Sequence, residues 1–230
     1  MRGVVIGMGL IGLAALSRGQ TILQAQANPS SSSSSSSSST RPPRKTAPAA
    51  RFGPDSGAVS NGVYRNSSFG FSCKIPAGWV LRTVEMNEHP VDASRSEAGR
   101  VLLAAFARPP LAHGEEVNSS ILIAAESAST YPGLKEPGQY FGPVKEIAEA
   151  EGLETVNPPY EIAVGAKALV RGDFQKDVAS RVMRQSTLVM LARGYAVSFT
   201  FIGGDEGEVE ELIDGLTFTG SAKAGGNPSK

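Results

Sequence analysis

An unbroken run of serines at residues 30–39 divides this 230-residue chain and limits most strongly how it can fold. The run continues into a stretch rich in proline, alanine and glycine that ends at about residue 60. Such a sequence has almost no apolar side chains to bury, so nothing offsets the entropy lost when it is ordered. We therefore predict a disordered tether over residues 28–60, a folded domain over residues 61–219 and a disordered tail over residues 220–230.

The residues before the serine run have the features of a secretory signal peptide. Arg2 supplies a positive charge, residues 3–16 are uncharged and mostly apolar, and Ala25-Gln26-Ala27 offers small residues for cleavage after Ala27. The apolar stretch is shorter than the roughly 20 residues that a membrane-spanning helix needs. The sequence thus predicts an exported protein, periplasmic or secreted, with no stable membrane span after cleavage. Arg18 leaves open the alternative of an uncleaved anchor.

The same leader contains a glycine pattern typical of dinucleotide-binding folds, Gly7-Met8-Gly9-Leu10-Ile11-Gly12. A dinucleotide fold also needs a second strand and an acidic residue about 20 positions further on, which binds the ribose. The first acidic residue of this chain is Asp55, which lies beyond the serine run. The pattern therefore does not predict a nucleotide site, and we expect no cofactor.

The zero net charge of the whole chain conceals an acidic domain. Residues 58–222 contain 14 basic and 21 acidic side chains, a net charge of −7. Residues 28–57 contain four basic side chains and one acidic one, a net charge of +3. Because neutralising nucleic-acid phosphates requires a basic face, the acidic domain argues against nucleic-acid binding.

Residues 63–218 combine strand and helix patterns and predict an α+β domain. Several strands are apolar on both faces, which predicts a sheet covered by helices on each side. A hairpin is predicted around Arg193-Gly194, and helices are predicted over residues 143–151, ended by Gly152, and from about Asp205 through an apolar stripe that reaches Leu216. The predicted strands cover residues 69–75, 79–86, 101–107, 121–125, 162–174 with an interruption around Gly165, 182–192 and 195–202.

The order of these elements and five short motifs resemble PsbP-like domains. The motifs are Tyr64-Arg65-Asn66, Phe69-Gly70-Phe71, Ile75-Pro76-Ala77-Gly78-Trp79, Gly194-Tyr195-Ala196-Val197-Ser198-Phe199 and Leu216-Thr217-Phe218. The resemblance covers residues 63–218 and implies an α/β/α sandwich around an antiparallel sheet. This fold superfamily includes photosystem accessory proteins, Ran-binding nuclear-import factors and exported bacterial proteins of unknown role, mostly binding or assembly proteins. No ligand residue of the photosystem proteins can be matched here, so none is assigned.

The domain contains no recognisable catalytic or metal-binding motif. The two histidines, His89 and His113, lie in predicted loops without a second set of metal ligands. The single cysteine, Cys73, shares the inward face of a predicted strand with Phe71, so we expect a buried and unreactive thiol. The sequence predicts neither a metal site nor catalysis.

An aromatic set beside proline and glycine flanks the predicted helix at residues 143–151 and forms the candidate ligand site. It consists of Tyr131, Tyr140, Phe141 and Tyr160. Tyrosine on rigid loops suits the recognition of a peptide or glycan. The same rings also suit the core between a helix and a sheet. Both interpretations stay open.

These features together predict an exported, non-enzymatic binding or accessory protein that acts through contacts of its α+β domain. Its expected partner is a protein or another component of the cell envelope. One alternative is an extracytoplasmic hydrolase with an unrecognised active site. The other is an assembly factor that acts only through protein partners.

Overall fold

The computed structural model describes residues 54–88, 99–108 and 117–219. The predicted signal peptide, most of the predicted tether, both histidines and the predicted tail lie outside the described residues. Within them the chain forms two antiparallel sheets and three α-helices. This architecture confirms the α+β fold class expected from the sequence.

A small sheet has four strands in the order β1–β2–β3–β11. They are β1 (Ala58–Ser60), β2 (Val63–Asn66), β3 (Phe71–Lys74) and β11 (Leu216–Phe218). Asn61 and Gly62, with φ angles of 52° and 69°, form the two-residue turn between β1 and β2. Because β11 pairs with β3, the end of the domain closes onto its beginning.

A large sheet has seven strands in the order β4–β5–β6–β10–β9–β8–β7. The predicted turn at Arg193-Gly194 is confirmed, and both residues have positive φ, 54° and 80°. The strands are β4 (Val80–Leu81), β5 (Gly99–Phe106), β6 (Ser120–Ser127), β7 (Glu154–Val164), β8 (Lys167–Val178), β9 (Arg181–Ala192) and β10 (Tyr195–Gly203).

The three helices are α1 (Thr83–Glu88), α2 (Phe141–Ala150) and α3 (Glu206–Asp214). Both predicted helices are confirmed as α2 and α3, but α3 ends at Asp214, and Leu216, predicted as part of its apolar stripe, begins β11. Gly152 follows α2 with a φ of 78°, the left-handed conformation expected after a helix. Asp205 caps α3, and its carboxylate accepts a hydrogen bond from the Glu208 N–H at 2.9 Å.

The large sheet has an apolar core on each face, as side chains alternate along its strands. On one face Phe199 contacts Phe71 of the small sheet, with ring centroids 4.9 Å apart, and Val209 of α3 lies in the same core. On the other face Val144 of α2 and Met86 of α1 pack against the sheet. Helices therefore cover both faces, as predicted, and the small sheet shares one of them with α3.

The predicted strand over residues 79–86 is wrong beyond Leu81, where the chain turns into α1. The Arg82 N–H still donates to the Ala104 carbonyl at 2.9 Å, as in a strand. At the next position a side chain is the acceptor in place of a backbone carbonyl: Thr83 Oγ1 accepts a hydrogen bond from the Ala104 N–H at 2.9 Å. A side chain thus replaces the backbone partner, which releases the backbone to form a helix.

The structured part of the chain begins before residue 61, because β1 lies within the predicted tether. Two side chains of β2 hold the segment that leads into β1. The Tyr64 hydroxyl donates to the Ser56 carbonyl at 2.9 Å, and the Asn66 amide donates to the Asp55 carbonyl at 2.8 Å. Residues 54–60 therefore belong to the domain.

Cys73 has the environment that its strand pattern predicts. Its side chain is fully buried, and burial raises the pKa of the thiol to about 12. A protonated, buried thiol behaves as a small apolar side chain, so Cys73 is part of the core between the two sheets.

Candidate functional site

Three of the four aromatic residues singled out from the sequence lie together beneath α2. Tyr131, Tyr140 and Phe141 are only 9%, 1% and 3% exposed. The rings of Tyr131 and Tyr140 meet edge to face, with centroids 5.2 Å apart, and the Tyr131 hydroxyl donates a hydrogen bond to the buried carboxylate of Glu126. These three rings fill the space between α2 and the large sheet.

Tyr160 lies on the opposite face of the sheet. The Phe141 ring packs on Gly172, whereas the Tyr160 hydroxyl donates to Asp173, the next residue of β8, at 3.0 Å. Neighbouring residues of a strand face opposite sides, so the four aromatic side chains do not line one cleft. A ligand-binding role for them stays a prediction.

The contact between Phe141 and Gly172 gives a test of this arrangement. A Cβ at Gly172 would lie 2.5 Å from a ring carbon of Phe141, and the buried ring has little room to move. We expect Gly172→Ala to lower the free energy of unfolding by about 1–3 kcal/mol, as overpacking usually does. Urea unfolding measures this change.

Gly142→Ala is the matched control, because a Cβ there meets nothing within 4 Å. This substitution in α2 should be neutral or slightly stabilising, since alanine favours helix. Phe141→Leu should recover part of the loss in the Gly172→Ala background. Equal stabilities of the two alanine variants would contradict this packing.

Tyr160 belongs to a polar network that joins β7, β8, β9 and α3. Arg171 is its centre: its Nε donates to Asp173 at 2.7 Å, and its Nη2 donates to Ser186 at 3.0 Å and to Glu210 at 2.5 Å. The Ser186 hydroxyl also donates to Asp173. The carboxylate of Asp173 thus accepts from four side chains, those of Tyr160, Arg171, Ser186 and, at 3.4 Å, Asn157.

The protonation states in this network suit structure rather than catalysis. Burial opposes ionisation of Asp173, yet hydrogen bonds from Ser186 and Arg171 outweigh it and hold its pKa below the ordinary value. Burial and the bond to Asp173 raise the pKa of Tyr160 to about 12. A carboxylate of lowered pKa is a weak general base, and the described residues include no histidine to relay a proton from Ser186.

The cleft beside this network is small. Its volume is about 60 Å³, and its lining includes Asn157, Arg171 and Ser186. This volume is the space of only a few water molecules.

A larger groove, of about 470 Å³, lies between β1, α1 and β5. Its size is within the range of small-ligand sites. Three of the six exposed large apolar side chains of the described residues line it, namely Val59, Leu81 and Val84, which are 40%, 43% and 63% exposed. Buried Tyr64 and Leu102 also contribute to the lining. Half of the exposed large apolar side chains of the described residues thus lie in this one groove.

The groove lies where an edge of each sheet comes to the surface. β1 is an edge strand of the small sheet, and β4 and α1 lie along β5 at an edge of the large sheet. Burial raises the pKa of the Tyr64 hydroxyl to about 12, so this group is neutral and donates to Ser56. The groove is therefore mostly apolar and has a fixed, uncharged tyrosine in its lining.

The edge of β5 is closed by side chains of α1 that imitate a neighbouring strand. The Asn87 amide donates to the Val101 carbonyl at 2.9 Å and accepts from the Val101 N–H at 3.1 Å. This is the pair of bonds that a peptide group would make in a sheet. With Thr83 bonded to Ala104, α1 occupies the positions of a strand along β5.

The other long edge, β7, is obstructed by its own sequence. Pro158 and Pro159 have no N–H to donate to a partner strand. The pairing of β7 with β8 also shifts register on either side of Asn157, which bends the strand. The edge strand β11 of the small sheet lies against β7.

In contrast, no described strand pairs with the outer edge of β1. Its two-residue turn makes Ser60 and Val63 a hydrogen-bonded pair, so the N–H and C=O of Val59 point away from β2. All three residues of β1 are exposed, and none is charged or proline. Among the described strand edges, β1 is therefore the one that suits pairing with an incoming strand.

The groove was not predicted from the sequence, because residues 58–60 were expected in the tether and residues 83–86 in a strand. A signal for β1 was present: Asn61-Gly62 separates Val59 from Val63 and Tyr64. Asn-Gly between apolar residues is the strongest short-range indication of a hairpin. α1 has no comparable local signal.

Two further classes of site find no support in the described part of the chain. It contains no group of three or more potential metal-ligating side chains. None of its helices has the length and hydropathy needed to cross a membrane.

No family model and no curated protein matches the sequence. Three solved structures to which the chain is similar are LpqN, involved in cell envelope biogenesis of Mycobacterium tuberculosis, cyanobacterial PsbP from Synechocystis sp. PCC 6803, and the Saccharomyces cerevisiae Ran-binding protein Mog1p. LpqN is 14% identical, with 65% of this chain and 83% of LpqN covered, at a TM-score of 0.36. The PsbP structure is 16% identical, with 70% of this chain and 96% of PsbP covered, at a TM-score of 0.43. Mog1p is 11% identical, with 65% of this chain and 90% of Mog1p covered, at a TM-score of 0.38.

One of these structures is a PsbP, the family that the sequence motifs resemble. At such identities and TM-scores the likeness concerns the fold alone.

Proposed function

We propose that the domain is a non-catalytic binding module whose groove between β1 and α1 takes up an extended segment of a protein partner. The observation that carries this proposal is the open edge of β1 beside exposed apolar side chains. An incoming strand pairs with the outward N–H and C=O of Val59, and its apolar side chains cover Leu81 and Val84. Backbone pairing supplies affinity and the apolar lining supplies selectivity.

The polar side chains in this groove support binding over catalysis. Thr83 and Asn87 are bonded to the backbone of β5, and the Tyr64 hydroxyl is bonded to Ser56. Glu85 pairs with Arg82 at 3.2 Å. Side chains bonded in this way fix the shape of the groove. Among the described residues that line it, none forms an activated nucleophile with its base. The hydrolase alternative therefore has no supporting observation here.

The predicted export places the partner outside the cytoplasm, and we propose a protein of the cell envelope or of the extracellular space. The negative charge of the domain favours partners with basic character through long-range attraction. It disfavours nucleic acid for the same reason.

Site-specific photo-cross-linking in the producing cell tests the proposal. A photoreactive amino acid replaces Val84 in the full chain, and mass spectrometry identifies the segment that becomes attached. The control label replaces Val182, an exposed valine on β9 that β6 and β10 separate from β5. We expect one extended partner segment at position 84 and none at position 182.

Leu81→Glu should reduce the yield at position 84 about tenfold, since a loss of roughly 1.4 kcal/mol in binding has this effect. The same cross-linked adducts at positions 84 and 182 would contradict binding of the partner in the groove. A cross-linking yield at position 84 that Leu81→Glu leaves unchanged would contradict it as well.

A further inference from the structure

We propose that the extended segment taken up by the groove is β1 of a second copy of this chain. The two copies pair their β1 strands antiparallel about a two-fold axis beside Val59, and each groove receives the Val59 side chain of the other copy. This pairing rests on the function proposed above, because it names the partner of the same groove.

The outer edge of β1 is complementary to itself. β1 has three residues, and of these Val59 is the one whose N–H and C=O point away from β2. A two-fold axis beside Val59 places the N–H of each copy opposite the C=O of the other, so that all four groups are paired. β1 carries no charged side chain that would oppose this approach.

The same approach covers the apolar lining of the groove. Val59 lies opposite buried Tyr64 in the pairing of β1 with β2, so the two side chains share one face of the small sheet, and both line the groove. A strand added outside β1 has its central side chain on this face as well, where it meets Leu81 and Val84. Each copy thus covers the exposed apolar side chains of the other.

The charged side chains at the groove are of both signs, which suits a contact between identical surfaces. Glu85 and Glu88 line the groove from α1, Arg100 lines it from β5, and Arg82 is paired with Glu85. In a two-fold contact the same surface faces itself, so a surface of one sign repels its copy, whereas one with both signs pairs unlike charges. The groove therefore accepts a second copy although the domain as a whole is acidic.

Pairing through β1 stops after two copies. Pro158 and Pro159 obstruct the edge of β7, β11 lies against β7, and Thr83 and Asn87 of α1 close the edge of β5. Among the described edges, β1 is thus the one available, and two-fold pairing uses it up. The expected assembly is a closed dimer in which the two four-stranded sheets join edge to edge.

Engineered disulfides in the full chain test this register. The Cα atoms of a hydrogen-bonded antiparallel pair are about 5.5 Å apart, a separation that a disulfide spans. Val59→Cys should therefore form a covalent dimer under mild oxidation. The native Cys73 is buried and does not compete.

The matched control is Ser60→Cys, on the next residue of the same exposed strand. In the proposed register Ser60 lies opposite Ala58 of the second copy, so the two Ser60 Cα atoms are roughly 8 Å apart, too far for a disulfide. Ser60→Cys alone should stay monomeric, whereas a mixture of Ala58→Cys and Ser60→Cys chains should cross-link. Equal cross-linking of Val59→Cys and Ser60→Cys, or none of Val59→Cys, overturns the pairing.

Sedimentation equilibrium of the chain without added cysteines measures the same association. We expect a monomer–dimer equilibrium that Leu81→Glu weakens about a hundredfold, because each dimer carries the substitution in two grooves and each loses about tenfold. Val182→Glu, at an exposed valine outside the groove, should leave the dissociation constant unchanged. A chain that is monomeric at every concentration, or equal effects of the two substitutions, overturns the proposal.

Photo-cross-linking at position 84 separates this inference from the function proposed above. An adduct of twice the chain's mass, joined to residues 58–60 of a second copy, supports both. An adduct with a segment of a different protein supports the groove as a binding site and overturns the pairing of two copies. Absence of any adduct contradicts the groove itself.

Discussion

Replacing Arg171 with methionine is expected to lower the free energy of unfolding by about 3–5 kcal/mol, the usual cost of breaking a buried ion pair. The Arg171 and Asp173 side chains are only 11% and 12% exposed. Without the guanidinium, Asp173 keeps a buried charge, and Glu210 of α3 loses its bond to β8. Urea unfolding at neutral pH measures the loss.

Arg181→Met is the matched control, because Arg181 is an exposed arginine on β9. Surface substitutions usually change stability by no more than about 0.5 kcal/mol. Similar losses in the two variants would show that the network around Arg171 contributes no more than a surface charge does.

The free energy of unfolding of the original chain exceeds that of Arg171→Met by an amount that depends on pH, because the pKa of Asp173 is lowered in the folded chain. The unfolded chain has an ordinary aspartate pKa of about 3.9, so the contribution of Asp173 is present above that pH and is lost as the pH falls through the lower folded-state value. In Arg171→Met the buried carboxylate loses its cation, which raises its pKa, and protonation then relieves the unpaired charge. The difference in free energy of unfolding between the original chain and Arg171→Met should therefore be largest near neutral pH and decrease below about pH 4.

Truncation of the N-terminal segment is the second change with a large expected effect. A chain that starts at Pro54 should be as stable as the chain from Asn28. A chain that starts at Val63 lacks β1 and the carbonyl groups that Tyr64 and Asn66 bond. Each buried polar group left unpaired costs about 1–3 kcal/mol, and the ring of Tyr64 loses its cover as well.

Thermal unfolding of the two truncated chains separates these expectations. The chain from Val63 should melt at a clearly lower temperature or fail to fold, while the chain from Pro54 keeps the original transition. If the two truncated chains melt at the same temperature, residues 54–62 are not part of the folded unit. β1 then does not form one side of the groove.

Elements with strong local signals were predictable from the sequence. α2 and α3 have apolar stripes with a terminating glycine or an aspartate cap, and the turn at Arg193-Gly194 links two alternating strands. The division into two sheets was not predictable in this way, because a strand pattern does not reveal which strand is its neighbour. β3, for example, pairs with β11 from the far end of the domain.

The groove and the polar network depend on partners that are distant in the sequence. Residues 79–86 have a strand-like composition, and α1 forms there because Thr83 and Asn87 bond the backbone of β5. Arg171 resembles a solvent-facing charge in its strand until Glu210, 39 residues away, is placed beside it. The aromatic set was ambiguous for a related reason, since the same rings suit a core and a binding surface.

The binding role of the β1 edge is tested most directly by hydrogen exchange at one backbone amide. Peptides that bind the full chain are selected from a displayed random library, and exchange is measured with and without a selected peptide. We predict that the peptide slows exchange of the outward Val59 N–H, and that amides of β7 keep their rates. Protection at β7 or beneath α2, with Val59 unchanged, would contradict the assignment of the β1 groove as the binding site.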